Sequence, residues 1–313
     1  MKNLVLAGYS GYTTKDKVFN FVESFNKVKL SFDELVILYA GERTEINDYL
    51  DSVGVKQIPV KEQSFSPYVN RFYWYADFLK NTVYEKVVCA DIRDVVFQSN
   101  PFTWMNTYQI NDLIVCDEGF KHNEDAWNSM TMQGAFPNEA HKMRNKNVFN
   151  VGVFGGNALE VQWICEQITK KCEQVKVWVH NYKGKAIEVV PDQVAFSILL
   201  DTIADSRITQ RCDNTDNWCL TIASVCLSTL EYQGIDGKIC NPDGMEYCLV
   251  HQYDRQTEFL KYHVDTNSFT ADDKKFFKVK LADGKNLPLE QQGTVKGEIS
   301  ASDEPMPIGE FYD

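Results

Sequence analysis

The residues best suited to chemistry begin with an acidic pair. The apolar run Val87-Val88-Cys89-Ala90 leads straight into Asp91-Ile92-Arg93-Asp94. In open α/β sheets, ligands bind beyond the carboxyl ends of the strands. Two carboxylates there can hold a hard divalent cation, Mn²⁺ or Mg²⁺, and such an ion bridges the phosphates of a nucleoside diphosphate. It also offsets the charge that grows as a diphosphate leaves. A plainer reading stands beside this one: either acid can cap a turn, and Asp94 can pair with Arg93 or another base. Three further segments carry features of the same kind. Phe149-Asn150-Val151-Gly152-Val153-Phe154-Gly155-Gly156 sets glycines where a ligand can come close to the backbone, although a bulged core strand has the same composition. Asp192-Gln193 follows Pro191 at a helix start, where Asp192 also suits an ordinary N-cap. His251 sits between the apolar pair Leu249-Val250 and a polar turn, and a single histidine serves structure more often than metal.

These residues need a scaffold, and the chain has the pattern of one. Leu4-Val5-Leu6-Ala7 reads as a buried strand ended by Gly8-Tyr9-Ser10-Gly11. A helix with Val18, Phe19, Phe21, Val22 and Phe25 follows, then a strand over Glu34 to Tyr39, a short helix over Glu45 to Val53 and a strand over Lys56 to Val60. The stripe Phe72, Tyr75, Ala76 and Leu79 marks a helix over Asn70 to Leu79, and Glu85 to Ala90 is the strand that enters Asp91. Further strands are expected at Asp112 to Cys116 and Phe149 to Phe154, with helices over Ala158 to Val175 and Asp192 to Ile203. Alternating strands and helices imply an α/β fold with a mainly parallel sheet covered on both faces. The expected domain is 1–265. The stretch 266–313 reads as a C-terminal extension, partly disordered or packed on the surface, because large apolar residues thin out from about Ala282 onward.

Composition narrows the function classes. The 313 residues carry a formal net charge of -12, so nucleic acid or an anionic membrane is not expected to bind through the overall field. An acidic protein that takes an anionic ligand usually needs a cation between them. No apolar run is long enough for a transmembrane segment, and no secretory signal is seen, so a cytoplasmic location is expected, with a viral or microbial setting plausible. Nine cysteines at 89, 116, 165, 172, 212, 219, 226, 240 and 248 match no zinc spacing. Reduced thiols are expected, with one or two disulfides among 212–248 as the alternative in an oxidising compartment.

The order of these segments resembles the GT-A glycosyltransferases, the nucleotide-diphospho-sugar transferases, and in particular family 8-like enzymes. The resemblance covers about residues 1–265. Val87 to Gln98 with Asn100-Pro101-Phe102 is similar to their metal segment, although the strict Asp-x-Asp becomes Asp-x-x-Asp here, with Arg93 where the second acid would stand. Asn150-x-Gly152 is similar to the strand that lines their donor sugar and acceptor pocket, and Asp192-Gln193 to a helix start that holds sugar hydroxyls. The resemblance implies a Rossmann-like GT-A sheet and a metal site of Asp91, Asp94 or both, completed by His251. It implies a donor site around Ala7, Gly8, Tyr9, Arg71, Asp91, Arg93, Gly155, Gly156 and Gln193. Tyr9 would stack on the base, and Arg71 would pair with phosphate or with Asp91, or stay solvated. Catalytic or acceptor roles fall to Asp192, Glu118 and Asn150. Asp117 and Glu118 can bond an acceptor hydroxyl or simply form a polar loop.

The expected reaction is transfer of a hexosyl or pentosyl group from a UDP- or GDP-sugar to a glycan or other hydroxyl acceptor. Retention is slightly favoured; an inverting enzyme would need Glu118 or Asp192 as base. Two alternatives share the sheet: a sugar-1-phosphate nucleotidyltransferase, which normally has a basic Gly-rich loop after the first strand, and a non-catalytic carbohydrate-binding protein.

Overall fold

A computed structural model describes residues 2–63, 66–176, 179–182, 185–203, 207–222, 238–241 and 243–255. The expected extension 266–313 and Cys226 lie outside the described residues. Chain order begins β1 (Asn3–Ser10), α1 (Asp16–Val28), β2 (Asp33–Ala40), α2 (Glu45–Ser52), β3 (Lys56–Pro59), α3 (Pro67–Lys80) and β4 (Lys86–Ala90). It continues with β5 (Val95–Phe97), α4 (Pro101–Thr107), β6 (Leu113–Lys121), α5 (Ala126–Ala135), α6 (Pro137–Met143), β7 (Asn147–Asn157) and α7 (Ala158–Cys172). A hairpin of β8 (Val179–Tyr182) and β9 (Lys185–Glu188) precedes α8 (Asp192–Thr202), β10 (Ile208–Cys212), β11 (Cys219–Thr221) and β12 (Leu249–His251).

Among the described residues, seven strands form one sheet in the order β10-β6-β7-β4-β1-β2-β3. The pairs β1–β2, β1–β4, β2–β3 and β6–β10 are parallel, whereas β7 runs antiparallel to both β4 and β6. The expected mainly parallel α/β sheet is therefore observed, with one reversed strand in it. Along β1 and β4, alternate residues enter different cores, as the two-residue period of a strand requires. Leu4, Leu6, Val87 and Cys89 pack with α3, α7 and α8 on one face. Val5, Ala7, Val88 and Ala90 pack on the other with α1, α2 and α4. Burial on both faces explains why these strands read as unbroken apolar runs. The helices follow the same logic. Val18, Phe21, Val22 and Phe25 make a buried stripe on α1, and each such side chain removed from water contributes ~1.5–3 kcal/mol.

Two features of the topology position the site. The chain builds β1, β2 and β3 outward and then returns to place β4 on the other side of β1. The carboxyl ends of β1 and β4 therefore flank a topological switch point, where open α/β sheets form a ligand crevice. A second sheet, β11-β12-β5, brings His251 to the Asp91–Asp94 turn at that switch point. β12 runs antiparallel to β5 and parallel to β11, with His251 opposite both Val95 and Thr221. Its buried side chains Val96, Leu220, Ile222, Ile239, Tyr247, Val250 and Tyr253 form a small core of their own.

The eight described cysteines are free and buried, in line with reduced thiols. No described helix is long and apolar enough to cross a membrane.

Candidate metal centre

The short turn after β4 carries Asp91 and Asp94, and the sheet pairing β5–β12 brings His251 to it across about 160 residues of chain. His251 Nε2 lies 3.7 Å from Asp91 Oδ2 and 3.8 Å from Asp94 Oδ1. One ligand atom from each of the three residues falls within 4.8 Å of the other two. Octahedral coordination at about 2.1 Å puts neighbouring ligand atoms roughly 3 Å apart, so a small divalent cation would have to draw the three groups closer together. Asp94 and His251 are buried, and Asp91 is half-buried.

Each acid turns one oxygen to an arginine and the other to the imidazole. Arg71 Nη1 on α3 contacts Asp91 Oδ1, and Arg71 Nη2 lies 2.9 Å from Asp192 Oδ2. Arg93 Nη2 lies 3.2 Å from both Asp94 Oδ2 and Asp254 Oδ2. Burial opposes the charge on Arg93, but Asp94 and Asp254 outweigh it and hold its pKa above the ordinary arginine value. Among the described residues, Arg71 thus bridges Asp91 and Asp192, and Arg93 bridges Asp94 and Asp254. The set has mixed oxygen and imidazole donors, a preference shared by several first-row divalent metals. The arginine pairing expected for Asp94 is observed, and the second oxygen of each acid lies in the Asp91–Asp94–His251 cluster that could hold a metal ion.

Gly152 accounts for the Asn-x-Gly pattern. β7 bulges here: Val115 faces Phe154 while the next residue, Cys116, faces Asn150. The intervening backbone turns toward β4 instead, and Asp91 N–H donates to Gly152 O at 2.8 Å. A Cβ on Gly152 would lie 2.6 Å from His251 Nε2 and 2.8 Å from Asp91 Oδ2. Only glycine leaves that space open. Two residues earlier, Asn150 is fully buried and its Oδ1 accepts from Gly152 N–H at 2.6 Å. Its Nδ2 then points to Thr221 Oγ1 at 2.8 Å and His251 Nδ1 at 2.9 Å. Asn150, expected to be catalytic, lies with its Nδ2 against the ring of His251.

A second polar chain leads away from the acids. Arg71 links Asp91 to Asp192, the first residue of α8, whose Oδ1 accepts from Gln193 N–H at 3.0 Å. Gln193 Nε2 donates to Glu118 Oε2 and to Asn128 Oδ1, each at 3.1 Å. Glu118 is buried, and its pKa is pushed up to about 7, chiefly by burial; nearby His251 and the Gln193 bond pull down, Asp125 and Asp117 push up. Asp117 serves the local turn, accepting from Gly119 N–H and Asn147 Nδ2.

The remaining expectations divide. Ala7 is fully buried under α1, and Gly8 packs against α3, where a Cβ would meet Trp74 at 3.3 Å. Tyr9 lies at the end of β1 with its ring between Tyr12 and Tyr39, at centroid distances of 6.2 and 6.0 Å. Burial is the main cause that pushes its phenol pKa up to about 12. Gly155 and Gly156 require correction, because they lie inside the sheet, further down β7 from the site. A Cβ on Gly155 would meet Val87 O at 2.8 Å, and one on Gly156 would collide with Asp112 O. Strand packing, not ligand approach, demands glycine at both. Arg93 likewise has its guanidinium engaged by two acids.

Four residues to which the sequence assigned no role contribute. Tyr253 Oη donates to Arg93 O at 3.0 Å and accepts from Asn20 Nδ2 at 3.1 Å, pinning the acidic turn to α1. Asp254 pairs with Arg93. Both adjoin His251 in sequence, and that adjacency was the available signal. Thr221 and Asn128 carry no signal in spacing or motif. Compared with known proteins, the chain matches no family model and no curated protein.

Proposed function

We propose that this protein is a metal-dependent glycosyltransferase of the GT-A kind, using a nucleotide-diphosphate sugar. The observation that carries this reading is the convergence of Asp91, Asp94 and His251 at the switch point between β1 and β4. Arg71, Asp192 and Gln193 adjoin the cluster through the Arg71–Asp91 contact. When bound there, Mn²⁺ or Mg²⁺ supplies the positive charge that stabilises a departing nucleoside diphosphate. Asp91 Oδ2, Asp94 Oδ1 and His251 Nε2 would hold the ion, and Arg71 and Arg93 orient the two acids through their other oxygens. Asp192 and Gln193, at the start of α8, are suited to sugar hydroxyls. A UDP- or GDP-sugar is the expected donor and a glycan hydroxyl the expected acceptor.

The family 8-like segments favour retention. A specific observation supports inversion instead: Glu118, with a pKa pushed up to about 7, is matched to general-base work near neutrality, whereas Asp192 is tied to Arg71. The anomeric configuration of the product, read by NMR, separates the two.

The reading is tested by nucleotide release from UDP- and GDP-sugars with Mn²⁺ and with EDTA. Release that stops in EDTA and returns with added Mn²⁺ supports it, and full activity in EDTA removes it. A thermal-shift screen of the same donors identifies the sugar, because a ligand that binds only the folded chain raises Tm with concentration.

A further inference from the structure

We infer that Thr221 is a positioning residue that sets the proton of His251 and so decides whether its Nε2 can take a cation. The inference rests on the reading of Asp91, Asp94 and His251 as cation ligands. A neutral imidazole carries one proton, and a nitrogen that binds a cation must give its lone pair. With a cation at Nε2, the proton is on Nδ1, where it needs an acceptor. A ligating histidine almost always donates its other N–H in this way, and the acceptor fixes the tautomer and the ring orientation.

Two polar side chains meet Nδ1 among the described residues. Asn150 Nδ2 is 2.9 Å away, and Thr221 Oγ1 is 3.3 Å away. Asn150 cannot accept there. Its Oδ1 is committed to Gly152 N–H at 2.6 Å, so the amide presents only N–H to the ring. As the contacts stand, Asn150 Nδ2 donates to Nδ1 and the ring proton lies on Nε2; once a cation takes Nε2, the hydroxyl oxygen of Thr221 is the acceptor of these two side chains for Nδ1–H. It is buried at 2 % exposure, so water does not readily replace it. Its place is set by backbone pairing, because Thr221 on β11 lies directly opposite His251 on β12. Asn150 has the complementary part: its Nδ2 reaches Thr221 Oγ1 at 2.8 Å and holds that oxygen beside the ring. The pair offers a donor to Nδ1 when the proton sits on Nε2; when a cation takes Nε2, Nδ1–H turns to Thr221 Oγ1 and the Asn150 N–H must move off the ring.

The experiment is Mn²⁺ affinity, measured by calorimetry and by the electron paramagnetic resonance of free Mn²⁺, on the wild-type chain and the variants T221V, T221S and H251A. No donor or turnover is needed. T221V keeps the shape and loses the acceptor; it is expected to weaken Mn²⁺ binding by roughly 10–100-fold. T221S keeps the oxygen and is expected to stay within about threefold of wild type. A role in packing alone predicts the reverse order, since valine keeps the methyl group that serine removes. Wild-type affinity in T221V, with weakened binding in H251A, overturns the assignment of Thr221 while leaving the cation site intact. Unchanged affinity in H251A overturns both. If T221V does not fold, T221C supplies the comparison, because sulfur is a weak acceptor; its affinity is expected below that of T221S. Equal affinities for the two overturn the assignment.

Discussion

At position 152 the site tolerates least. A methyl group there would stand 2.6 Å from His251 Nε2 and 2.8 Å from Asp91 Oδ2. Gly152→Ala is expected to lower Mn²⁺ affinity by about 100-fold, the upper end of effects seen around metal sites, as read by calorimetry. Unchanged affinity would mean that the ion does not sit between those two atoms. Gly155→Ala should act differently, because its Cβ meets the Val87 carbonyl within the sheet. It is expected to cost about 1–3 kcal/mol in urea unfolding, as overpacking does, and to leave the affinity of the folded fraction alone. Glu118 gives a pH signature. Its carboxyl rises from 4.5 to about 7 on folding, mainly through burial, so the folded chain favours the protonated acid. The resulting stability is complete below the unfolded value and is lost as pH rises through about 7. Glu118→Gln should therefore gain on the wild type between pH 5 and pH 8, by on the order of 3 kcal/mol. Parallel pH profiles for the two proteins would contradict the burial argument. Asp91, Asp94 and His251 were readable in the sequence because each follows an apolar strand and the segments occur in a telling order. Thr221 was not, since a threonine thirty residues before the histidine has no pattern until two strands pair.

Elements differ in how plainly they announce themselves. β1, β2 and β4 are buried on both faces, and α1 and α3 carry apolar stripes, so all five stand out in composition. The three-residue strands β5, β11 and β12 are shorter than any periodicity can register, yet together they carry His251 to the acids. β7 has strand-like composition, but nothing local marks its antiparallel direction or its bulge, which depend on β4 and β6. The dependence of the site on the small sheet is testable through Leu220, which is fully buried beside Val96 and Val250 and precedes Thr221. Leu220→Ala is expected to destabilise the protein by about 2–5 kcal/mol in urea unfolding. It should also weaken Mn²⁺ binding, because β11 loses the packing that seats Thr221 opposite His251. Lost stability with intact affinity would show that β12 holds its place without β11.

For the molecule as a whole, acidity and ligand choice are linked. A chain of net charge -12 repels a nucleoside diphosphate, and the two arginines at the crevice are already paired with acids. Binding of the anion should therefore depend on the cation, which makes the ion the centre of the account. The most direct measurement is a manganese anomalous difference map from crystals grown with MnCl₂ and UDP. A peak is expected at about 2.1–2.3 Å from Asp91 Oδ2, Asp94 Oδ1 and His251 Nε2 together. A nucleotide bound in the crevice between β1 and β4, with manganese remote from all three atoms or nowhere in the map, would contradict it.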